Sequence, residues 1–182
     1  MDISKDFKLI KHLAWDDVFE IMRQNEDYPG SHWISLWQKR GFNSWQEWRM
    51  TYVKRFKLDR LDWQLYEIIE PIKTVPQLCG GSFTSWVKRF YQGEDNPSFA
   101  KLAEHPEIQA HHGIIQFMDN FPKNTIISGV ILGDKIIIVE GMHRCAALAL
   151  ASLQGQKIQT KMQICLAQHY LDKLPIAGQN TD

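Results

Sequence analysis

The segment from Ile136 to Leu153, IIIVEGMHRCAALALASL, places the strongest constraint on how this chain can fold. Its first five residues are mostly β-branched and predict a strand. Gly141 and Met142 predict a turn, and the alanine-rich stretch that begins at His143 predicts a helix. A strand, a tight turn and a helix N-terminus in direct succession are typical of α/β proteins.

The start of this helix is a predicted anion site. The first turn of a helix leaves backbone N–H groups unpaired, and the helix dipole adds partial positive charge there. Arg144 adds donors that match phosphate oxygens, and His143 can hydrogen-bond a phosphate or transfer a proton near neutral pH. Gly141 permits the sharp turn and exposes backbone amides. We therefore predict that Gly141, Met142, His143 and Arg144 bind a nucleotide or a phosphate ester.

Glu140 supplies an acidic group at the edge of the predicted site. It can bind Mg²⁺ or act as a base on a hydroxyl acceptor. Glu140 and His143 are therefore the candidate catalytic residues, and Glu140 is the candidate metal ligand. The alternative is structural: Glu140 and Arg144 form an ion pair, and His143 is a buried capping group.

Composition limits the classes of function. Lys plus Arg and Asp plus Glu are 21 each among 182 residues, so the formal net charge is zero. A broad nucleic-acid surface would need a basic excess, so we do not expect nucleic acid as a partner. The three cysteines are far apart and suggest neither a metal site nor a disulfide framework. Neither a signal peptide nor a membrane-spanning run is apparent, so we expect a cytoplasmic protein.

Residues 1–60 are predicted to form a helical, tryptophan-rich N-terminal arm. One helix face carries apolar side chains at Trp15, Val18, Phe19 and Met22. Ser44 and Glu47 have the spacing of a capping box, which starts a further helix. Five of the seven tryptophans precede residue 50. We expect them to pack in the interface between the N-terminal arm and the next domain. Alternatively, they form an aromatic platform for a nucleobase or a partner peptide.

Residues 61–170 are predicted to form the main domain, and residues 171–182 a flexible tail. Strands are predicted at residues 65–72, 125–132, 135–140 and 157–166, with a tight hairpin at Gly133-Asp134. Helices are predicted from Phe83, from Pro97 and from Pro106 through Met118. The predicted fold class is α/β, a mixed sheet with surrounding helices behind the N-terminal helical arm.

Three shorter features carry their own predictions. Gly80-Gly81 precedes a helix and is either an ordinary turn or a close approach to a ligand. Cys145 is predicted to be a small buried core residue, because its neighbours are alanines. His111 and His112 are predicted to lie on the surface, because adjacent helix residues point in different directions.

The residues VEGMHRCAALALA resemble the signature of the ParB/sulfiredoxin superfamily, which has the form (D/E/G)-G-x-H-R-x-x-A-A after a hydrophobic strand. A capping Gly155 and a returning strand from Lys157 to Leu166 fit the same pattern, and the likeness extends roughly from Leu65 to Ala167. The resemblance implies the fold of that superfamily. It also implies nucleotide binding with phosphoryl transfer or hydrolysis, as in its small-molecule kinases, with Mg²⁺ and ATP, ADP or CTP.

The chain departs from two members of that superfamily. Sulfiredoxins carry a reactive cysteine directly before the His-Arg pair, where this chain has Met142, and Cys145 lies on the other side of the pair. ParB proteins add a helix-turn-helix domain, which the sequence after Ala167 does not suggest. We therefore predict a kinase-like nucleotide-binding protein. The alternative is a non-catalytic nucleotide sensor, or an adaptor that binds a protein partner through its tryptophan-rich region.

Overall fold

The computed structural model describes residues 3–178 and contains five strands that form one sheet. The strands are β1 (Phe7–Leu13), β2 (Trp63–Ile68), β3 (Asn124–Leu132), β4 (Lys135–Glu140) and β5 (Lys161–Gln168). Their order across the sheet is β1-β2-β5-β3-β4. β3 and β5 are parallel, and the other neighbouring pairs are antiparallel. The predicted class, α/β with a mixed sheet and surrounding helices, is confirmed.

Ten α-helical segments cover this sheet within residues 3–178. They are α1 (Ile3–Asp6), α2 (Trp15–Glu26), α3 (His32–Lys39), α4 (Trp45–Phe56), α5 (Pro71–Thr74), α6 (Thr84–Phe90), α7 (Phe99–Ala103), α8 (Pro106–Gln109), α9 (His112–Asp119) and α10 (Met142–Leu153). Two 3₁₀ turns lie at Leu58–Arg60 and Val75–Gln77. In this part of the chain no helix is long and apolar enough to span a membrane.

Helices lie on both faces of the sheet, so two hydrophobic clusters form. Side chains of β4 alternate between them: Ile138 packs in the cluster with α6 to α10, and Ile137 packs in the cluster with α2 and α4. Because both faces are covered, all residues from Ile136 to Glu140 are buried. Trp45 and Trp48 lie in the second cluster, so the expectation that tryptophans pack in this interface is confirmed for these two.

The prediction that residues 1–60 are helical is wrong at Phe7–Leu13, which forms the edge strand β1. β1 pairs antiparallel with β2, so the sheet begins within the predicted N-terminal arm. The register shifts between Leu9 and Lys11, which leaves Ile10 as a bulge. A bulge interrupts the two-residue alternation by which a strand is recognised in a sequence.

The predicted helix α4 is present, but its cap differs from a complete capping box. Ser44 Oγ accepts a hydrogen bond from the Glu47 backbone N–H at 3.1 Å, as predicted. The Glu47 carboxylate instead accepts from the backbone N–H of Asn43, at 2.9 Å. The cap fixes where α4 begins, and α4 carries a residue of the candidate site.

Several predicted boundaries shift. The helix predicted from Pro97 begins at Phe99, because the Ser98 side chain caps it and accepts from Lys101 N. The helix predicted from Pro106 through Met118 is divided into α8 and α9. The final strand begins at Lys161, four residues later than predicted.

The segment after β5 packs against the start of α6 rather than forming the expected flexible tail. Leu174 and Ala177 are buried. Ala177 accepts a backbone hydrogen bond from Thr84 at 2.8 Å and donates one to Ser82 at 2.8 Å. The segment therefore helps to close one side of the candidate site, whereas residues 179–182 of the predicted tail lie outside the described residues.

Candidate functional site

The predicted strand, turn and helix are present in the structure. Gly141 is the N-cap of α10, with φ 96° and ψ 17°, in the left-handed region that favours glycine. A Cβ at this position would lie 2.4 Å from Cγ2 of Ile127. The register between β3 and β4 shifts so that Glu140 pairs with Ser128, which leaves Val139 as a bulge directly before the turn. Bulges often change the direction of a side chain beside a functional site.

Arg144 is engaged by the protein itself. Its Nη2 donates to Glu140 Oε1, and its Nη1 donates to Thr125 Oγ1 and to the backbone carbonyl of Ile126 at 3.1 Å. Asn25 Oδ1 lies 3.4 Å from the same nitrogen. Arg144 is 7% exposed. The ion pair considered as the alternative from sequence is therefore present, and most of the contacts of this guanidinium are made within the protein.

Glu140 is equally engaged. Its Oε1 accepts from Arg144, and its Oε2 accepts from Asn25 Nδ2 at 3.0 Å. The carboxylate is 4% exposed. Within residues 3–178 no group of three or more His, Cys, Asp or Glu side chains is arranged to hold a metal ion. Each Glu140 oxygen already accepts one hydrogen bond, so a Mg²⁺ ion or a substrate hydroxyl at this carboxylate would share it with Arg144 and Asn25.

His143 lies in a cluster of rings in front of the helix start. Its ring centroid is 5.4 Å from Trp86, 5.4 Å from His111 and 6.2 Å from Trp33. The prediction that His111 lies on the surface is wrong, since it is half-buried and burial lowers its pKa. His112 is exposed, as predicted. His143 thus faces aromatic neighbours and also lines a cavity.

A cavity of about 330 Å³ lies at the start of α10. All the sequence-predicted site residues, Glu140 to Arg144, line it. Aromatic side chains of its wall are Trp33, Trp48, Tyr52, Phe83, Trp86 and Phe117. Cationic side chains of its wall are Arg40, Arg49, Lys88 and Arg144, and the two carboxylates are Glu26 and Glu140. The wall thus combines aromatic surface with an excess of positive charge.

Arg49 of α4 and Arg40, which follows α3, also line the cavity, and neither was predicted from the sequence; Arg49 is the more deeply buried of the two. It is 5% exposed, and its Nη2 donates to the carbonyl of Val139 at 2.9 Å. Its guanidinium lies 5.4 Å from the Tyr52 ring centroid and 6.0 Å from that of Trp48. Among the described residues, the bond to Val139 is its one direct hydrogen bond. Arg49 thus brings to Val139 a guanidinium whose other N–H groups make no direct hydrogen bond within the described part of the chain. Val139 precedes the N-cap of α10 by two residues in the sequence.

Glu26 of α2 also lines the cavity and was not predicted from the sequence. It is 5% exposed, its Oε2 accepts from Trp45 Nε1 at 2.9 Å, and its Oε1 lies 3.6 Å from Arg49 Nη2. Burial raises the pKa of Glu26, against the opposing effect of Arg49, and the nearby Glu140 adds to the rise. A signal for it was available, because Glu26 follows the apolar-face residue Met22 by four positions.

Gly80 and Gly81 serve packing. A Cβ at Gly80 would lie 2.2 Å from the Tyr91 hydroxyl, and one at Gly81 would lie 2.2 Å from the carbonyl oxygen of Ile138. The backbone N–H of Gly81 lies 3.2 Å from Sδ of Met142. Of the two alternatives from sequence, the structure favours close backbone packing over ligand contact, and this packing holds Met142 at the helix start.

The three cysteines are core residues. Cys145 is fully buried, as predicted, and burial raises the pKa of its thiol. Burial also raises the pKa of Cys79, and it raises that of Cys165 to about 12. A thiol is nucleophilic as the thiolate, so none of the three is activated for nucleophilic chemistry near neutral pH.

Comparison with known proteins finds no relative: no protein-family model, curated protein or solved structure matches the chain. Function must therefore be inferred from the side chains that meet at the cavity.

Proposed function

We propose that the protein binds a nucleotide in the cavity at the start of α10. The observation that carries the proposal is the cavity wall, which combines tryptophan rings with the nearly buried guanidinium of Arg49 beside a helix N-terminus. Aromatic rings stack on nucleobases, and guanidinium groups and helix N-termini bind phosphate. Nucleotides are the main class of small molecule that carries both an aromatic base and a phosphate group.

The phosphate would bind at Arg49, with the first-turn residue His143 close by. Arg49 donates to Val139, which precedes the N-cap Gly141 by two residues, so the guanidinium and the helix N-terminus adjoin. A charge in a water-poor cavity attracts an anion more strongly than an exposed one does. Arg144, the residue predicted from sequence for this role, instead positions Glu140 and ties α10 to β3.

The base would bind against the tryptophans. Trp33 and Trp48 are stacked, with centroids 5.7 Å apart and 28° between the ring planes. The indole N–H of Trp48 is buried and has no hydrogen-bond partner among the described residues. A buried donor without a partner is unfavourable, so a water or ligand atom that reached this N–H would stabilise the site.

Binding without phosphoryl transfer is the form of this function that we favour. Glu140 is nearly buried and its two oxygens accept from Arg144 and Asn25, which favours a positioning role for it over that of a base or a metal ligand. We further propose membership of the ParB/sulfiredoxin-like superfamily. Support comes from the left-handed Gly141 between β4 and α10 and from the return strand β5, which lies parallel to β3.

Two further cations of the cavity wall, Arg40 and Lys88, provide the test. Lys88 is exposed, and Arg40 Nη1 donates to the Tyr52 hydroxyl at 3.2 Å. We expect Arg40→Gln and Lys88→Gln each to weaken nucleotide binding about tenfold, since a hydrogen bond to a charged group contributes about 1.5–3 kcal/mol. Calorimetry and thermal shift with a panel of nucleoside phosphates would measure this.

Matched controls remove the same charge elsewhere. Arg60 and Lys54 are exposed and do not line the cavity, so Arg60→Gln and Lys54→Gln should bind as wild type does. Equal losses in cavity variants and controls would show nonspecific attraction and contradict the proposed site. Absence of binding to any nucleotide at millimolar concentration would contradict the proposed function. Nucleotide consumption in the same samples would favour an enzyme over a sensor.

A further inference from the structure

We infer that the ligand of this cavity carries a single phosphate group and binds without a divalent cation, so it is a nucleoside monophosphate rather than a nucleoside triphosphate with Mg²⁺. The inference rests on the proposed nucleotide binding and names the class of nucleotide. It departs from the ATP, ADP or CTP and Mg²⁺ that the motif resemblance implies. Three properties of the cavity lead to it: charge, the engagement of its carboxylates, and size.

The charge of the cavity wall matches one phosphate. Its four cationic side chains and two carboxylates leave two net positive charges when both carboxylates are ionised and the histidine is neutral. A phosphate monoester carries about 1.5 to 2 negative charges at pH 7. Each further phosphate adds negative charge that the side chains of this wall do not balance, so it gains less electrostatic attraction from the site than the first phosphate does.

The carboxylates of the cavity are already engaged. Mg²⁺ usually binds through one or two carboxylates together with substrate phosphates. Both oxygens of Glu140 accept hydrogen bonds, from Arg144 and Asn25. Glu26 accepts from Trp45 with one oxygen and faces Arg49 with the other. A Mg²⁺ ion brought by a triphosphate would therefore have to compete with these internal contacts for a protein ligand.

The size of the cavity and the burial of Arg49 fit a short ligand. A cavity of about 330 Å³ is near the lower end of the range for small-molecule sites, about 300–1,000 Å³. Arg49 is 5% exposed and lies against the rings of Trp48 and Tyr52, which leaves little room beside its guanidinium for more than one phosphate group. Stacking of the base on Trp33 or Trp48 then leaves space for a sugar between the two ends.

The test is calorimetry at fixed ionic strength with the four nucleoside monophosphates, their nucleosides, ADP, ATP and inorganic phosphate, each with Mg²⁺ or with EDTA. We expect at least one monophosphate to bind equally in Mg²⁺ and EDTA. We expect its nucleoside, inorganic phosphate and the matching triphosphate each to bind at least about tenfold more weakly, a difference of about 1.4 kcal/mol.

The outcomes separate the inference from the proposed function. If ATP or another triphosphate binds more tightly with Mg²⁺ than every monophosphate does, the inference is wrong and nucleotide binding stands. If inorganic phosphate binds as tightly as the best monophosphate, the base contributes nothing and the inference is also wrong. If no nucleotide binds, the proposed function itself fails.

A double variant tests Arg49 as the phosphate anchor. Arg49→Met alone would leave Glu26 buried without its cation and is expected to impair folding. Glu26→Gln combined with Arg49→Met removes both members of the ion pair, so neither is left buried without its partner. We expect this double variant to fold, as checked by circular dichroism, and to lose at least about tenfold in monophosphate affinity. Wild-type affinity in the folded double variant would overturn the assignment of Arg49.

Discussion

Arg144 Nη2 donates to Glu140 Oε1 across the turn at Gly141, and both side chains are almost completely buried. Arg144 also bonds Thr125 and the Ile126 carbonyl, so one guanidinium joins β3, β4 and α10. Arg144, which the sequence motif suggested as a phosphate ligand, thus forms hydrogen bonds that hold the sheet and α10 together. Arg49, from a different helix, lines the same cavity and is the guanidinium that we propose as the phosphate contact.

The Arg144–Glu140 pair should be important for stability. Removing one member of a buried ion pair leaves a buried charge without its partner, so Arg144→Met and Glu140→Gln should each destabilise the fold by about 3–5 kcal/mol. The double variant should lose less than the sum of the two, because neither charge then remains. Urea denaturation of the four proteins would measure this coupling.

An exposed pair offers the matched control for that measurement. Lys73 and Glu70 form an ion pair at 2.7 Å with side chains that are 71% and 58% exposed. Lys73→Met and Glu70→Gln should each change stability by less than about 1 kcal/mol. If Arg144→Met costs as little as Lys73→Met does and also abolishes nucleotide binding, Arg144 is a ligand residue after all.

Glu26 should make stability depend on pH. Because burial raises its pKa above the usual value, the folded state favours the protonated carboxyl. The stability that Glu26 contributes is thus complete below its unfolded pKa and is lost as the pH rises through its folded pKa. Arg49, Glu140 and Arg144 are the charged groups that act on it, and Trp45 donates to it.

The variant Glu26→Gln removes this titration. We expect its unfolding free energy, relative to that of the wild type, to increase as the pH is raised from 4 to 8, as urea denaturation at each pH would show. This slope is independent of any constant loss caused by the missing Arg49 partner. A relative free energy that instead falls as the pH rises would mean that Arg49 outweighs burial and holds the carboxylate ionised.

The parts of the site that sequence could predict are local in the chain. β-Branched residues before Gly141 and alanines after it determine the strand, turn and helix, and Gly133-Asp134 determines the hairpin of β3 and β4. The partners of the charged residues were not predictable, because Asn25 and Arg144 are 119 positions apart, and Arg49 and Val139 are 90 apart. Only tertiary folding brings such pairs together.

A partial signal for the missed residues was nevertheless present in the helix pattern. Arg49 lies four residues after Trp45 and four before Val53, both of which are buried, so it occupies the apolar face of α4. A charged residue on an apolar helix face must find a partner or a ligand, since burial of an unpaired charge is strongly unfavourable. Together with Glu26 on the apolar face of α2, this pattern predicts a buried polar site, although not its position.

Gly141 should be required at the turn. Alanine would adopt φ 96° and place its Cβ 2.4 Å from Ile127, so Gly141→Ala should destabilise the fold by more than about 2 kcal/mol. Gly155→Ala is the control: this residue has φ 68°, but a Cβ there would meet nothing within 4 Å. It should cost about 1–2 kcal/mol, the strain of the left-handed conformation alone. If urea denaturation gave equal losses of unfolding free energy for the two variants, the close contact with Ile127 would add nothing to the effect of Gly141→Ala.

Sulfiredoxin activity should be absent, because its chemistry needs a thiolate beside the bound phosphate. The position before the His-Arg pair is Met142, a thioether that lies 3.2 Å from the Gly81 N–H and is almost completely buried. Cys145 is fully buried, and burial raises the pKa of its thiol. The folded protein should therefore react with a thiol reagent at pH 8 far more slowly than the protein unfolded in urea, in which Cys79, Cys145 and Cys165 all react.

Incubation with a hyperoxidised peroxiredoxin, ATP, Mg²⁺ and a reductant should leave the sulfinic acid unchanged. Recovery of the reduced cysteine, lost again in Cys145→Ser, would contradict this prediction and identify Cys145 as the nucleophile.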